Sequence, residues 1–518
     1  MQELEALRME HITKVYSNGV VANNGIDFCV RQGEIHALSG ENGAGKSTLM
    51  KLLFGEEQPT RGEIYINGEK VQITSPTKAI ELGIGMVHQH FMLVPSLSVV
   101  ENMILGLEPR KGIVIDQKLA EQRVVEISEK YNLNVPPRAK IRDLSVGQKQ
   151  KVEILKALLH GAKILILDEP TAVLTPQETQ ELFQELKVLR DDGYTIIFIS
   201  HKLNEVRALC DRITVIRRGK TMGVYNIADV DEAQISRLMV GRDVVLQIDK
   251  TPAKQGETVL SVKELTARNI LGQKRLDGVS FCAKRAEVFG IAGVEGNGQG
   301  ELVEILSGNR GFEGGAVELL GKDIKGMGPR QVRKLKVSYI PEDRMSVGMA
   351  GQLSITENAL ADKSDDARFV SKPGLLRRKN IREYGKEMVS QYQVVCKSPD
   401  VSISSLSGGN IQKVVLAREL SSTPEIVIAD QPTRGVDVGA TEFIRKEILK
   451  LRDSGKCVML VSSDLNELLG LADRLIVLCG GKIAAYFPDT KAVTEEMLGR
   501  YMLGIERQTD EQIAEVAK

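Results

Sequence analysis

The chain has 518 residues, room for two large domains or about three of ordinary size. Lys plus Arg and Asp plus Glu both count 69, a balance that gives no support to a broad nucleic-acid or anionic-lipid surface. Aromatic residues make up 4% with no Trp, which argues against a sugar cleft or a base-stacking platform.

The first ten residues, MQELEALRME, are charged and lack an apolar core, so no secretory signal is expected. No apolar run reaches the roughly 18 residues that a bilayer span needs. The six cysteines are scattered without a CxxC pair, so neither a zinc site nor a disulfide framework is expected, and a reducing compartment is.

In chain order, an apolar strand at 35–39 runs into a Gly-rich turn and a helix at 47–53. Gly40, Glu41, Asn42, Gly43, Ala44, Gly45, Lys46, Ser47 and Thr48 fit G-x-x-x-x-G-K-[ST]. Glycines let backbone N–H groups converge on phosphate oxygens, and the helix start adds its positive dipole end. Lys46 is expected to reach the β- and γ-phosphates of ATP, and Ser47 to ligate Mg²⁺. The string LSVGQ follows at Leu144–Gln148. The apolar run 164–167 then reads as a buried parallel strand, ending in Asp168 and Glu169. Asp168 suits Mg²⁺ held through water, and Glu169 suits orienting and deprotonating the attacking water. A further buried strand is expected at 195–199, shortly before His201. The polar string IDKTPAKQGE, residues 248–257, reads as a linker.

Beyond the linker the chain repeats itself. Phe28-Cys29 recurs as Phe281-Cys282, and Gly40 as Gly293, at an offset of 253. LSVGQ recurs as LSGGN at Leu406, and Asp168 as Asp430, at an offset of 262. The second repeat therefore carries a net nine extra residues between Glu342 and Leu406, read as a surface insertion. Two homologous domains are expected, 5–247 and 258–504, with a charged tail at 505–518 read as a frayed helix. The fold class is α/β.

Two LSGG-like strings, each between a P-loop position and an Asp-ending strand, resemble the ATP-binding-cassette family over nearly the whole chain. The resemblance implies two tandem P-loop ATPase domains. Each has a RecA-like parallel-sheet core, a helical signature subdomain and an antiparallel β subdomain. It implies that Tyr16 stacks on adenine and that Gln89 senses Mg²⁺ and faces a transmembrane partner. His201 would contact the γ-phosphate as the switch histidine, and residues 171–175 and 433–437 would be the D-loops. Family sites are composite, so Ser407, Gly408, Gly409 and Asp437 would complete the site built on Lys46. The other site would use Gln299, Gly300 and Glu301 where Lys46, Ser47 and Thr48 stand in the first repeat. Gln431 replaces Glu169, Ser463 replaces His201, Asn269 replaces Tyr16, and Glu342 replaces Gln89. The opposing signature has Val146 for Gly408, and the opposing D-loop has Thr175 for Asp437. Every loss falls in one crossed site, which is expected to hydrolyse negligibly.

The strings PEDR (Pro341–Arg344), LSGGN and PTRGVDVGA (Pro432–Ala440) resemble fused ATPase subunits of bacterial importers for simple sugars and nucleosides. HQHFMLVP (His88–Pro95) and ADQPTRGVDVGA resemble the nucleoside branch more, with a sugar importer as the alternative. A soluble translation or repair factor is the alternative of another class. The short linker and absence of a long insertion count against it. His88 and His90 read as local packing or partner contact, and the basic run 377–382 as a solvated helix face. The implied partners are two transmembrane permease subunits, docking near 91–105 and 345–356, and an extracytoplasmic solute-binding protein. No nucleic-acid partner is implied. The implied location is peripheral, on the cytoplasmic face of the cell membrane, with membrane contact through the permease.

Overall fold

A computed structural model describes residues 4–517, apart from 18, 90, 172–173, 175, 201, 242–249, 270–271 and 372–373. His201, Thr175 and His90 lie outside the described residues, as does the start of the expected linker. The chain divides into two units, Met1–Val244 and Val245–Lys518.

The first unit stacks two sheets on a buried helix. Strands Glu5–Val15, Val21–Arg31, Arg61–Ile66 and Glu69–Val71 form an antiparallel sheet. The second sheet runs in the order Lys220–Asn226, Arg212–Arg217, Ile35–Ser39, Thr195–Ile199, Ile164–Asp168, Ile84–Val87. Of its five pairings four are parallel, and at one edge Lys220–Asn226 returns antiparallel. The central strands are apolar throughout because both faces are covered, which removes the alternation that a half-exposed strand shows. Leu49, Leu52 and Leu53 of helix Lys46–Phe54 pack with Met9 and Ile12 of one sheet and Ile166 and Ile197 of the other.

The second unit repeats this plan. Its large sheet runs Val337–Ile340, Ile426–Asp430, Cys457–Val461, Glu287–Ala292, Arg474–Cys479, Lys482–Phe487, the same order read from the other edge. Leu302, Ile305 and Leu306 of helix Gln299–Leu306 fill its sandwich. In each unit a helical part carries the signature helix, Val146–Leu159 or Gly408–Leu420.

The nine added residues are not one insertion. Asn102 bonds the backbone of Val94, and Asn358 bonds that of Ala350 in the same way, an offset of 256 that places three extra residues just before. Helices Gln117–Lys130 and Arg378–Gln391 are offset by 261, which places five more ahead of the second helix. The turns Ile141–Asp143 and Ile403–Ser405 restore 262 with the last one. Helix Arg378–Gln391 carries the basic run on its exposed side and buries Tyr384 and Met388. His88 packs edge-on to Phe54 at 6.0 Å and lies 3.7 Å from Glu56, as local packing requires.

Two polar segments are better anchored than their composition suggests. In the linker, Lys250 donates to the carbonyl of Ala472 and to Thr490 Oγ1, and Arg452 donates to Thr251 Oγ1 at 3.1 Å. The C-terminal tail is not a frayed helix. Thr509 and Gln512 form a capping box for Asp510–Ala514, and Val516 beyond it is 0% exposed. The carbonyl of Val516 accepts from the buried Arg474 guanidinium at 3.2 Å and from the Cys282 thiol at 3.3 Å. Deleting residues 505–518 strips these groups, on the order of 2–4 kcal/mol. The thermal midpoint of the second domain should then fall by roughly 5 °C or more. Scanning calorimetry of the truncated chain checks this; an unchanged midpoint would contradict the docking.

Candidate nucleotide-binding site

The phosphate loop leaves the fully buried strand Ile35–Ser39 and enters the helix Lys46–Phe54. Gly45 caps that helix at φ 106°, in the left-handed region that favours glycine. A Cβ there would lie 2.5 Å from the Ala22 carbonyl oxygen, so the position has no room for one. Asn23 donates to the Gly45 carbonyl at 3.0 Å and fixes the turn. No side chain caps the helix, whose positive dipole end faces the loop. The Lys46 ammonium is buried inside the loop and donates to the carbonyls of Gly40 at 2.6 Å and Glu41 at 3.1 Å. Tyr16 reaches the far end of the loop, its hydroxyl 3.5 Å from Thr48 Oγ1.

Asp168 ends a strand whose other residues are buried. Its carboxyl is pushed up to about 6, first by burial and then by the neighbouring Glu169 carboxylate, with the Lys46 ammonium pulling the other way. Glu169 itself sits at φ 48°, a left-handed backbone held by its N–H donating to Ile199 at 3.0 Å. Such a conformation costs about 1 kcal/mol or more in a non-glycine residue. It turns the side chain toward Gln89, whose Nε2 donates to Glu169 Oε2 at 3.1 Å. The structure thus gathers Lys46, Asp168, Glu169 and Gln89 at the ends of adjacent parallel strands.

Sequence reasoning missed a buried carboxylate behind these loops. Glu205 Oε2 accepts from Thr171 Oγ1 at 2.6 Å and from Ser200 Oγ at 3.2 Å, tying the first D-loop residue to the residue before His201. The second domain repeats it, with Ser462 Oγ donating to Glu467 at 2.8 Å and Thr433 bonded to the same carboxylate. The signal was available, because all three residues recur at the offset of 262.

The second loop keeps the backbone and changes the side chains. Gly298 caps helix Gln299–Leu306 at φ 107°. Gln299 lies where Lys46 lies and donates to the Val294 carbonyl at 3.2 Å. Glu301, at the position of Thr48, is 3.8 Å from Arg275, which also donates to the Gly296 carbonyl at 3.2 Å. Gln431 shares the φ of 48° with Glu169, but its amide oxygen accepts from the N–H and hydroxyl of Ser463 at 2.9 and 3.0 Å. With no lysine beside it, Asp430 is pushed up to about 7 by burial, and the Glu304 carboxylate adds to this.

The signature helices differ as well. Ser145 is closed in a capping box, accepting from the Gln148 N–H at 3.2 Å while Gln148 accepts from the Ser145 N–H at 3.0 Å. Ser407 makes no such cap; its Oγ receives the Asn410 amide at 2.9 Å. A Cβ on Gly409 would lie 2.5 Å from Asp437 Oδ2, so the signature turn and the D-loop acid touch. Asp437 in turn caps helix Val438–Asp453 by accepting from the Ala440 N–H at 2.7 Å.

Two P-loop folds in one chain, each with its own signature helix, define a tandem nucleotide-binding-cassette protein. The ABC transporter family model matches residues 23–172 and 276–434, and the chain belongs to that family. The nucleoside import ATP-binding protein NupA of Lactococcus lactis is 44% identical over 96% of this chain and 98% of its own. The guanosine import ATP-binding protein NupO of Bacillus subtilis is 45% identical over 96% of this chain and 97% of its own. A solved archaeal ribosome recycling factor, bound to a ribosomal stalk protein, aligns over 90% of this chain and 87% of its own with a TM-score of 0.59. At 20% identity that likeness is one of fold alone.

The raised Asp168 carboxyl has a definite stability consequence. An ordinary Asp ionises near 3.8, so between that and about 6 the unfolded chain has released a proton that the folded chain still holds. Stability therefore falls as pH rises through that window and stays lower above it. Asp168→Asn removes the effect, and its thermal midpoint should exceed the parent's at pH 7.5 and converge with it near pH 4. A parent–variant gap that is constant across pH would refute the assignment.

Proposed function

We propose that this chain is the ATP-hydrolysing subunit of an importer for nucleosides. We further propose one working site, made from the first domain's P-loop and the second domain's signature and D-loop. The observation that carries the crossed assembly is where the losses fall. Sorted by domain they scatter over both; sorted by crossed pairs they fall in one. The closed capping box at Ser145, against the differently bonded Ser407, supports the same sorting.

Ser47, Asp168 and Gln89 offer hydroxyl, carboxylate and amide oxygens, an all-oxygen set that fits Mg²⁺. When bound, Mg²⁺ neutralises charge on the transferring phosphoryl group. Lys46 exchanges its two carbonyl partners for β- and γ-phosphate oxygens. Glu169, already turned toward the site by its left-handed backbone, orients the water and accepts its proton. His201 steadies the γ-phosphate, Tyr16 holds the adenine, and Ser407, Gly408, Gly409 and Asp437 close from the other cassette. Closure drives the permease through its change of access, and hydrolysis reopens the pair.

The nucleoside reading rests on the likeness to the Lactococcus and Bacillus import proteins. No described helix is long and apolar enough to cross a membrane. The proposed partners are two permease subunits, which form the passage, and an extracytoplasmic binding protein. Met92 is 63% exposed on the first expected docking segment and Val347 64% on the second, as a surface awaiting apolar contact would be.

Glu169→Gln should lower steady-state phosphate release by about 10²–10⁴, whereas Gln431→Glu should leave it within about twofold. Appreciable turnover in Glu169→Gln would sink the one-site account. Ser407→Arg should abolish hydrolysis and Ser145→Arg should spare it; the reverse pattern would overturn the crossed assembly. In a complex reconstituted with its permease and binding protein, guanosine or uridine should stimulate hydrolysis and ribose should not. Stimulation by ribose alone would assign the chain to sugar import instead.

A further inference from the structure

We infer that Arg344 is a positioning residue for the hydrolytic site, locking the signature turn and D-loop of the second domain to the loop that meets the permease. The inference rests on the crossed assembly proposed above. Three residues are added between Glu342 and Ser354 relative to Gln89 and Ser98, and here the chain makes the wide turn Arg344–Gly348. Asp343 caps that turn, accepting from the N–H groups of Met345 and Ser346 at 2.9 Å each. The turn sends the Arg344 guanidinium inward while Met345 and Val347 stay exposed.

The guanidinium spans two elements. Nη1 donates to the Arg434 carbonyl at 2.7 Å and Nη2 to the Gly435 carbonyl at 3.0 Å, both in the D-loop segment. A planar fork meets two successive carbonyls at once, which a lysine ammonium, as a point charge, does not. Glu342, two residues earlier, pairs with Arg434 and ties the same two loops a second time. On the signature side, a Cβ on Gly408 would lie 2.7 Å from Arg344 Nη2. Glycine at this position is thus matched to the arginine. The first domain has Val146 there and no Arg or Lys between Met86 and Ser98.

Among the described residues the tie is seen in the domain whose signature and D-loop serve the working site. A displacement imposed at Met345 and Val347 passes through one side chain to Gly408 and Gly435, with no intervening element. Hydrolysis would then be licensed from the permease face through Arg344.

The test uses the full chain, alone and in the reconstituted complex. Arg344→Met should lower kcat about tenfold and remove permease-dependent stimulation. Binding of a fluorescent ATP analogue to the resting chain and the thermal midpoint should both stay close to the parent's. Arg344→Lys should recover only part of kcat. Parent-like kcat in Arg344→Met, with Ser407→Arg inactive, would overturn the role of Arg344 alone. Parent-like kcat in both would overturn the crossed assembly itself. A loss in Arg344→Met matched by a fall in midpoint, with Arg344→Lys fully active, would make Arg344 a structural strut and overturn the inference.

Discussion

Each domain hangs on a joint at which two sheets meet too closely for a side chain. The carbonyl of Ala22, on the antiparallel sheet, would be 2.5 Å from a Cβ on Gly45 and 2.8 Å from one on Gly219. Arg275 plays the same part in the second domain, 2.5 Å from a Cβ on Gly298 and 2.6 Å from one on Gly481. The phosphate loop is therefore a wedge between sheets before it is a ligand site. The second domain accordingly keeps these glycines while Gln299, Gly300 and Gln431 stand at the positions of Lys46, Ser47 and Glu169, because the glycines answer to packing.

Around this fixed backbone the two domains divide the electrostatics. In the first, a buried ammonium offsets a buried carboxyl, and Asp168 stands near 6. In the second, Gln299 gives no such offset, Asp430 rises to about 7, and Gln431 turns its amide to Ser463. Both domains bond these groups internally, the first through Lys46 and Gln89 and the second through Gln299 and Gln431. The second domain's signature and D-loop are joined by the contact between Gly409 and Asp437 and by the cross-tie of Arg344.

Much of this was legible in the sequence. Buried parallel strands announce themselves as short apolar runs, and the P-loop glycines have a spacing that few other structures need. The internal repeat added more, because corresponding positions could be compared without any second protein. What stayed hidden depends on where the chain returns in space. The tail after Gly504 is polar by composition, yet Val516 is buried because Arg474 and Cys282 need its carbonyl. The nine added residues sum correctly from the offsets, but only the shared asparagine contacts at Asn102 and Asn358 divide them into three places. Glu205 and Glu467 look like ordinary helix acids until Thr171 and Ser200, or Ser462, are seen to converge on them.

The left-handed turn shared by Glu169 and Gln431 has a consequence for how such a chain can change. The second domain bears the same left-handed strain at Gln431 as the first does at Glu169, so an acid could be placed there with no movement of the main chain. The side chains around it differ more, because Gln299, Gly300, Glu301 and Ser463 stand where Lys46, Ser47, Thr48 and His201 stand in the first domain. At this turn the two domains therefore share one backbone, and the difference between them rests on side chains alone, several of which would have to change together to make the domains alike.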